Sequence, residues 1–380
     1  MYRHWPTSIS KAIQLMWPAT VMAALRDRGV AAAAHWNLPN ERGTTRVAMD
    51  AHRQHFQSSS SKVADMNQPG RFCPAGYGYS ASVFSRTSDI EAETLYIVGG
   101  LYGNDFALDA LHDMAAAESG PVSIIFNGDF NWFNIRPGSF SGINGRVLQH
   151  TALRGNVETE IANDDEDAGC GCAYPVSVPE MEVARSNSIL GMLRETARRF
   201  PELRTRLEAL PMFASARVGP LRIGIVHGDA ESLAGWRFAQ HSLDAPETLP
   251  WLDAAHAAAG VDIFASSHTC LPVLRKFGLA HGTLVVINNG AAGLPNFTNS
   301  HFGLFTRIST CPSPFNPVFG ARRDAVHIDA LPIHYDHDRW MDVFLSDWPP
   351  GSPAHDSYYQ RIVAGPDYGV EIARSGPITA

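Results

Sequence analysis

The chain has 380 residues, 45% of them hydrophobic and 18% charged, enough to bury a large core as one α/β domain or a domain with a cap. Its formal net charge is −8 and no long Lys/Arg run occurs, which argues against a nucleic-acid partner held by phosphate neutralisation. No apolar run is long enough to cross a bilayer, so no membrane association is expected. The five cysteines, Cys73, Cys170, Cys172, Cys270 and Cys311, are an odd number in a large chain, which is no disulfide framework and implies a reducing, cytoplasmic compartment.

Residues 1–90 read as an N-terminal extension. A helix is expected near 10–28, where the apolar patch is broken by Trp17-Pro18 and has poor shape for a secretory signal. The Ser-rich passage 57–62 reads as linker. Gly76-Tyr77-Gly78 neither follows a strand nor opens a helix, so it is no phosphate cradle.

The first core strand is 94–98, running into Gly99-Gly100-Leu101-Tyr102. Phe106, Leu108, Leu111 and Met114 then recur at helical spacing. A second strand, 122–127, ends on Gly128-Asp129, completing a βαβ unit. Trp132 and Phe133 follow; they are candidates for lining a substrate pocket, though aromatics next to a strand end are more often core. A loop at Gly155-Asn156-Val157-Glu158 precedes an acidic run that closes on Cys170-Gly171-Cys172. Residues 180–210 read as helices, with Ile189, Leu193, Ala197 and Phe200 on an apolar face and Arg194, Arg198, Arg199, Arg204 and Arg206 on a solvated one. Strands at 221–226, 261–265 and 284–287 end at His227-Gly228-Asp229, Ser267-His268-Thr269-Cys270 and Asn288-Asn289-Gly290, with a helix at 251–259. Short strands past 310 and a helix at 356–363 complete the chain. His281, His301 and the surface run His334-Tyr335-Asp336-His337 carry no site on their own.

Successive strands thus deliver Asp129, Asn156, His227 and His268 at one end. In open α/β sheets that is where ligands bind, and four such groups in register are better explained by a shared metal or phosphate site than by four structural coincidences.

These residues resemble the calcineurin-like metallophosphoesterases. The family's motifs run Asp-x-His, Gly-Asp, Gly-Asn-His, His-Gly and Gly-His-x-His on successive strand ends. Here the corresponding stretches are Gly100-Leu101-Tyr102, Gly128-Asp129, Gly155-Asn156-Val157, His227-Gly228 and Ser267-His268-Thr269-Cys270, with Asn289-Gly290 after them; the likeness covers about 94–310. It implies an α/β four-layer sandwich of two mixed sheets flanked by helices, here over 91–345 with a helical insertion near 160–216, and a tail, 346–380, packing on it. It also implies that Asp129, Asn156, His227 and His268 hold one metal ion. Three ligands of the family's other metal position are replaced by Gly100, Tyr102 and Cys270, and its catalytic His by Val157.

The expected cofactor is therefore a divalent ion, Zn, Fe or Mn, with one per chain, or two if Cys270, helped by Cys170 and Cys172, rebuilds the lost position as a soft site. Such an ion lowers the pKa of a bound water and stabilises phosphoryl oxygens. Asp229 is a candidate for orienting an imidazole. The function expected is a metal-dependent phosphoester hydrolase acting on a small phosphorylated substrate, with Asp129, Asn156, His227 and His268 as its catalytic set. The alternatives are a silent metal- or phosphate-ligand-binding protein on the same fold, or an enzyme using a Cys-containing metal site for other chemistry. Oligomeric state is left open.

Overall fold

The computed structural model describes residues 68–374 and the backbone of Ile378–Thr379. The helix expected at 10–28 and the linker at 57–62 lie outside the described residues. Two mixed sheets stack between helices, the α/β sandwich that the sequence reading expected. The first sheet runs β11 (Phe319–Arg323), β12 (Val326–Ile333), β10 (Gly303–Ser309), β2 (Thr94–Val98), β3 (Val122–Asn127) and β4 (Thr151–Leu153). The second runs β1 (Ile90–Ala92), β5 (Phe213–Val218), β6 (Leu221–Val226), β7 (Ile263–Ser266), β9 (Gly282–Asn289), β8 (Pro272–Leu279) and β13 (Ile378–Thr379). The longer helices are α1 (Asp105–Ala116), α2 (Pro137–Val147), α3 (Asn156–Ala162), α4 (Glu180–Ala197), α5 (Pro201–Glu208), α6 (Leu249–Ala259), α7 (His337–Asp347) and α8 (Pro353–Ala364).

Strand periodicity builds the layers. Successive side chains of a strand point to opposite faces. Leu95, Ile97 and Ile125 therefore meet Ile223, Ile225, Ile263 and Ile287 in the core between the sheets. Their neighbours Tyr96, Val98 and Phe126 face Leu108, Leu111 and Phe140 in the outer helical layer. Across the molecule, Val226, Phe264 and Val286 pack on Leu252, Ala255 and Ala259 of α6. Both faces of these strands are buried, which is why their sequences read as continuous apolar runs.

β2, β3 and β4 are parallel to one another, as are β6, β7 and β9, and α1 is the crossover from β2 to β3. The carboxyl ends of β3 and β4 thereby meet those of β6 and β7 along one edge of the sandwich. Asn127 ties the sheets at that edge: its Nδ2 donates to Val226 O at 3.0 Å, and its own carbonyl accepts from His227.

Several elements differ from the sequence reading. Residues 213–218, at the end of the expected helical stretch, form β5, whose Ala-Ser-Ala-Arg interior carries little strand signal and is held by pairing with β6. β8 and β10 escaped the reading altogether, and the strands past 310 include the eight-residue β12. The solvated arginine face is wrong for Arg194, which is buried: its Nε donates to Glu160 O at 3.0 Å and it ties α4 to α3. The surface run at 334–337 is loop as far as Asp336, whose side chain caps α7 by accepting from Arg339 N at 3.1 Å.

Candidate metal centre

Gly128 and Asp129 leave β3 with φ of 98° and 52°, turning the chain back sharply enough to aim the Asp129 carboxylate across the strand ends. A Cβ on Gly128 would stand 2.6 Å from His227 Nδ1, and one on Gly155 would stand 2.3 Å from Asp129 Oδ1. Only glycine allows this approach. Asn156 is the first residue of α3, so its side chain leaves the helix start directly beside Asp129, whose Oδ1 accepts from Val157 N at 3.2 Å.

His227 closes the site from β6 and His268 from the turn after β7. Both are buried. His227 Nδ1 lies 2.9 Å from Asn127 O; a carbonyl cannot donate, so Nδ1 carries the proton and Nε2 presents a lone pair. By the same logic His268 Nε2 donates to Cys172 O at 3.1 Å, leaving Nδ1 as the acceptor. Asn156 Nδ2 donates to Cys170 O at 2.9 Å, so its Oδ1 is the atom turned inward. Around His227 Nε2 there then stand Asn156 Oδ1 and His268 Nδ1, each at 3.1 Å, and Asp129 Oδ2 at 3.4 Å. All four atoms are acceptors when the imidazoles are neutral. Such a cluster needs a proton or a cation at its centre.

Donor atoms of Asp129, His227 and His268 lie within 4.8 Å of one another, the metal-type cluster found among the described residues, and it contains no cysteine. Cys270 faces the same pocket, but its Sγ lies 2.8 Å from Tyr102 OH. Burial pushes the Cys270 thiol up, and the Tyr102 phenol and Cys172 thiol well up. The carbonyls of Cys170 and Cys172 in the Gly-Cys-Gly-Cys loop orient Asn156 and His268, and Cys172 Sγ also accepts from Asn156 Nδ2 at 3.6 Å. Trp236, stacked edge-on to His268 at 5.3 Å, also donates to Cys172 O.

Asp229 does not orient an imidazole. Its carboxylate accepts from Glu231 N, Ser232 N and Arg237 N and so shapes the loop after β6; Asn127 O is the group that orients His227. Trp132 lines the pocket, whereas Phe133 packs into the core against Phe344 and Tyr358.

Glu158 went unread in the sequence. It is fully buried, and its two oxygens accept from Asp129 N (2.8 Å), Gly155 N (3.0 Å), Asn131 N (3.1 Å) and Asn131 Nδ2 (3.1 Å). One carboxylate thus staples the Asp129 loop to the Asn156 loop. Its signal was the Gly155-x-x-Glu158 spacing of a helix start, where a Glu three residues in reaches back to the first backbone N–H. Burial, then the Asp129 carboxylate, push the Glu158 pKa up to about 7 against the pull of its N–H donors. Tyr358 and Arg361, also in the pocket wall, come from α8 and had no sequence signal linking them to it.

Burial, the largest single influence, would lower the His227 pKa, but Asp129, the Asn127 carbonyl and Glu158 together make the net shift upward. His268 is pushed down to about 3 by burial and by the neighbouring His227 charge.

No family model matches the chain, and no curated protein matches it by sequence. Among solved structures, a hypothetical protein of Pyrococcus horikoshii is 16% identical, with 72% of this chain and 99% of that one covered and a TM-score of 0.49. A metallophosphoesterase of Sphaerobacter thermophilus is 14% identical over 70% and 98% of the two chains, with a TM-score of 0.44. A serine/threonine phosphatase of Saccharomyces cerevisiae is 16% identical over 67% and 90%, with a TM-score of 0.32. These likenesses concern fold; the side chains of this chain bear on function. The chain itself shows two mixed sheets between helices, with Asp129, Asn156, His227 and His268 gathered where the strand ends of the two sheets meet.

Two predictions test this geometry. Glu158→Gln places an NH2 against two N–H donors, so it is expected to lower the unfolding free energy by about 2–5 kcal/mol in urea titrations. An unchanged urea midpoint contradicts the stapling role. The second concerns pH. A folded-state His227 pKa above the unfolded value of about 6.5 gives stability that is present below that value and lost as pH rises through the folded pKa. The raised Glu158 pKa has the same sign, binding a proton in the folded state up to about pH 7. A bound cation replaces the proton, so the gap in Tm between zinc-loaded and chelated protein should widen from about pH 6 to about pH 8. A gap that narrows over that range counts against the site.

Proposed function

We propose that the chain is a metal-dependent phosphoester hydrolase working with one divalent ion held by Asp129, Asn156, His227 and His268. The observation that supports this is the convergence of Asn156 Oδ1, His268 Nδ1 and Asp129 Oδ2 on His227 Nε2 with no proton donor among them in the neutral state. One carboxylate, one amide oxygen and two imidazoles suit Zn, Fe or Mn. When bound, such an ion activates water and withdraws charge from a phosphoryl oxygen.

The chain's own residues do the rest. The carbonyls of Asn127, Cys170 and Cys172 fix tautomers and amide orientation, so the ligand lone pairs are aimed before any ion arrives. Trp132, Trp236 and Tyr174 wall the pocket and limit its water. At Val157 there is no side-chain proton donor, so nothing at that position protonates a departing alkoxide. Leaving groups that need no protonation are therefore favoured.

Aryl phosphoesters with acidic phenols should be cleaved at least about 10²-fold faster than alkyl ones, the order of a missing general acid. Turnover should vanish in His268→Ala. Val157 also favours a second reading, a binder without turnover. No hydrolysis of any activated ester by metal-loaded protein would select that reading over the first.

A further inference from the structure

Five arginines are buried among the described residues: Arg71, Arg194, Arg275, Arg307 and Arg361. Four have carboxylates. Arg71 pairs with Glu180 at 2.6 Å, Arg194 with Glu160 at 3.8 Å, Arg275 with Asp244 at 2.6 Å and Arg307 with Glu118 at 2.6 Å. Arg361, in the third turn of α8, is 5% exposed and has no carboxylate within 4.0 Å among the described residues. A buried cation without a counter-charge is costly, and a fold keeps one chiefly where the counter-charge arrives with a ligand.

Its contacts place it at the pocket. Nε donates to Pro295 O at 3.2 Å and Nη2 to Cys270 O at 2.7 Å, which clamps the guanidinium plane against the turn that carries His268. Nη1 makes no hydrogen bond to a described residue. The side chain lines the same pocket as Asp129, Asn156 and His268, beside the Tyr102–Cys270 pair that stands where the family resemblance implies a second ion. The charged groups in this pocket are thus Arg361 on one side and the Asp129 cluster on the other.

We infer that Arg361 is the phosphoryl-oxygen anchor of this site, a substrate-binding residue supplied by α8 that provides the second positive contact on the phosphate. The inference rests on the phosphoester reading above. A guanidinium with free N–H groups binds phosphate oxygens by charge-assisted hydrogen bonds in a fixed plane, which a lysine ammonium does not reproduce. The loss of two-ion catalysis and the presence of an unpaired buried arginine are then one adaptation.

The test is calorimetric titration of the full chain with zinc, and then of the zinc-loaded protein with inorganic phosphate, in wild type, Arg361→Gln and Arg361→Lys. The expected result is zinc affinity within about twofold of wild type in both variants. Phosphate binding should fall about 10–100-fold in Arg361→Gln, the size of a lost charge-assisted contact, with Arg361→Lys between. A folded Arg361→Gln that binds phosphate as wild type does overturns the inference. Should Arg361→Gln fail to fold, Arg361→Lys carries the test: phosphate binding weakened at least about threefold supports it, and equal binding overturns it. If no protein takes up zinc, phosphate is titrated into the ion-free chain. Arg361-dependent binding there sustains the anchor while removing the hydrolase reading, and its absence removes both.

Discussion

Four acceptor atoms from four chain segments are forced together at the edge where the two sheets meet, and their mutual repulsion is the constraint around which the structure is arranged. Asp129 and Asn156 come from the first sheet and His227 and His268 from the second, so the site exists only while the sandwich is closed. Each acceptor is held by a hydrogen bond on its far side: Asn127 O for His227, Cys172 O for His268, Cys170 O for Asn156 and Val157 N for Asp129. Those contacts remove the freedom to turn away. A cation, or one shared proton, is what satisfies the cluster.

Strain gathers at the same place. Tyr102, Asp129 and Cys270 all have φ between 52° and 59°, a region that non-glycine residues seldom adopt and that costs on the order of 1–3 kcal/mol each. All three line the one pocket. The Glu158 staple holds the Asp129 turn, and Tyr102 N donates to Asp129 O at 3.1 Å, so the loops brace one another. Beside the cluster stands the Tyr102–Cys270 phenol–thiol pair, with the Arg361 guanidinium tied to Cys270 O. Charge on that side of the pocket is thereby carried by a side chain.

Legibility in the sequence followed the range of the interaction. β2, β3, β6, β7 and β9 were readable because burial on both faces makes them apolar runs, and their polar ends marked Asp129, His227 and His268, while Asn156 was read from its loop. β5 and β8 were opaque, since Ala, Ser, Arg and Lys within them take strand form through pairing with neighbours already in place. Asp229 looked like a partner for His227 because it is adjacent in sequence, yet it caps its own loop while the partner, Asn127 O, lies a hundred residues away. Carbonyl ligation of side chains by the Gly-Cys-Gly-Cys loop could not be read either, because every residue type has a carbonyl and the cysteines drew attention to their sulfurs. Arg361 and Tyr358 are tertiary contributions from α8 with no local pattern to announce them.

The central claim, one divalent ion held by the Asp129 cluster, is tested most directly by elemental analysis of protein purified without chelators or oxygen, beside Asp129→Ala. Close to one equivalent of zinc, iron or manganese per chain is expected in the wild type and nearly none in the variant. Two ions per chain would contradict the single-ion centre. No ion, after each of the three metals has been resupplied, would contradict the metal centre itself.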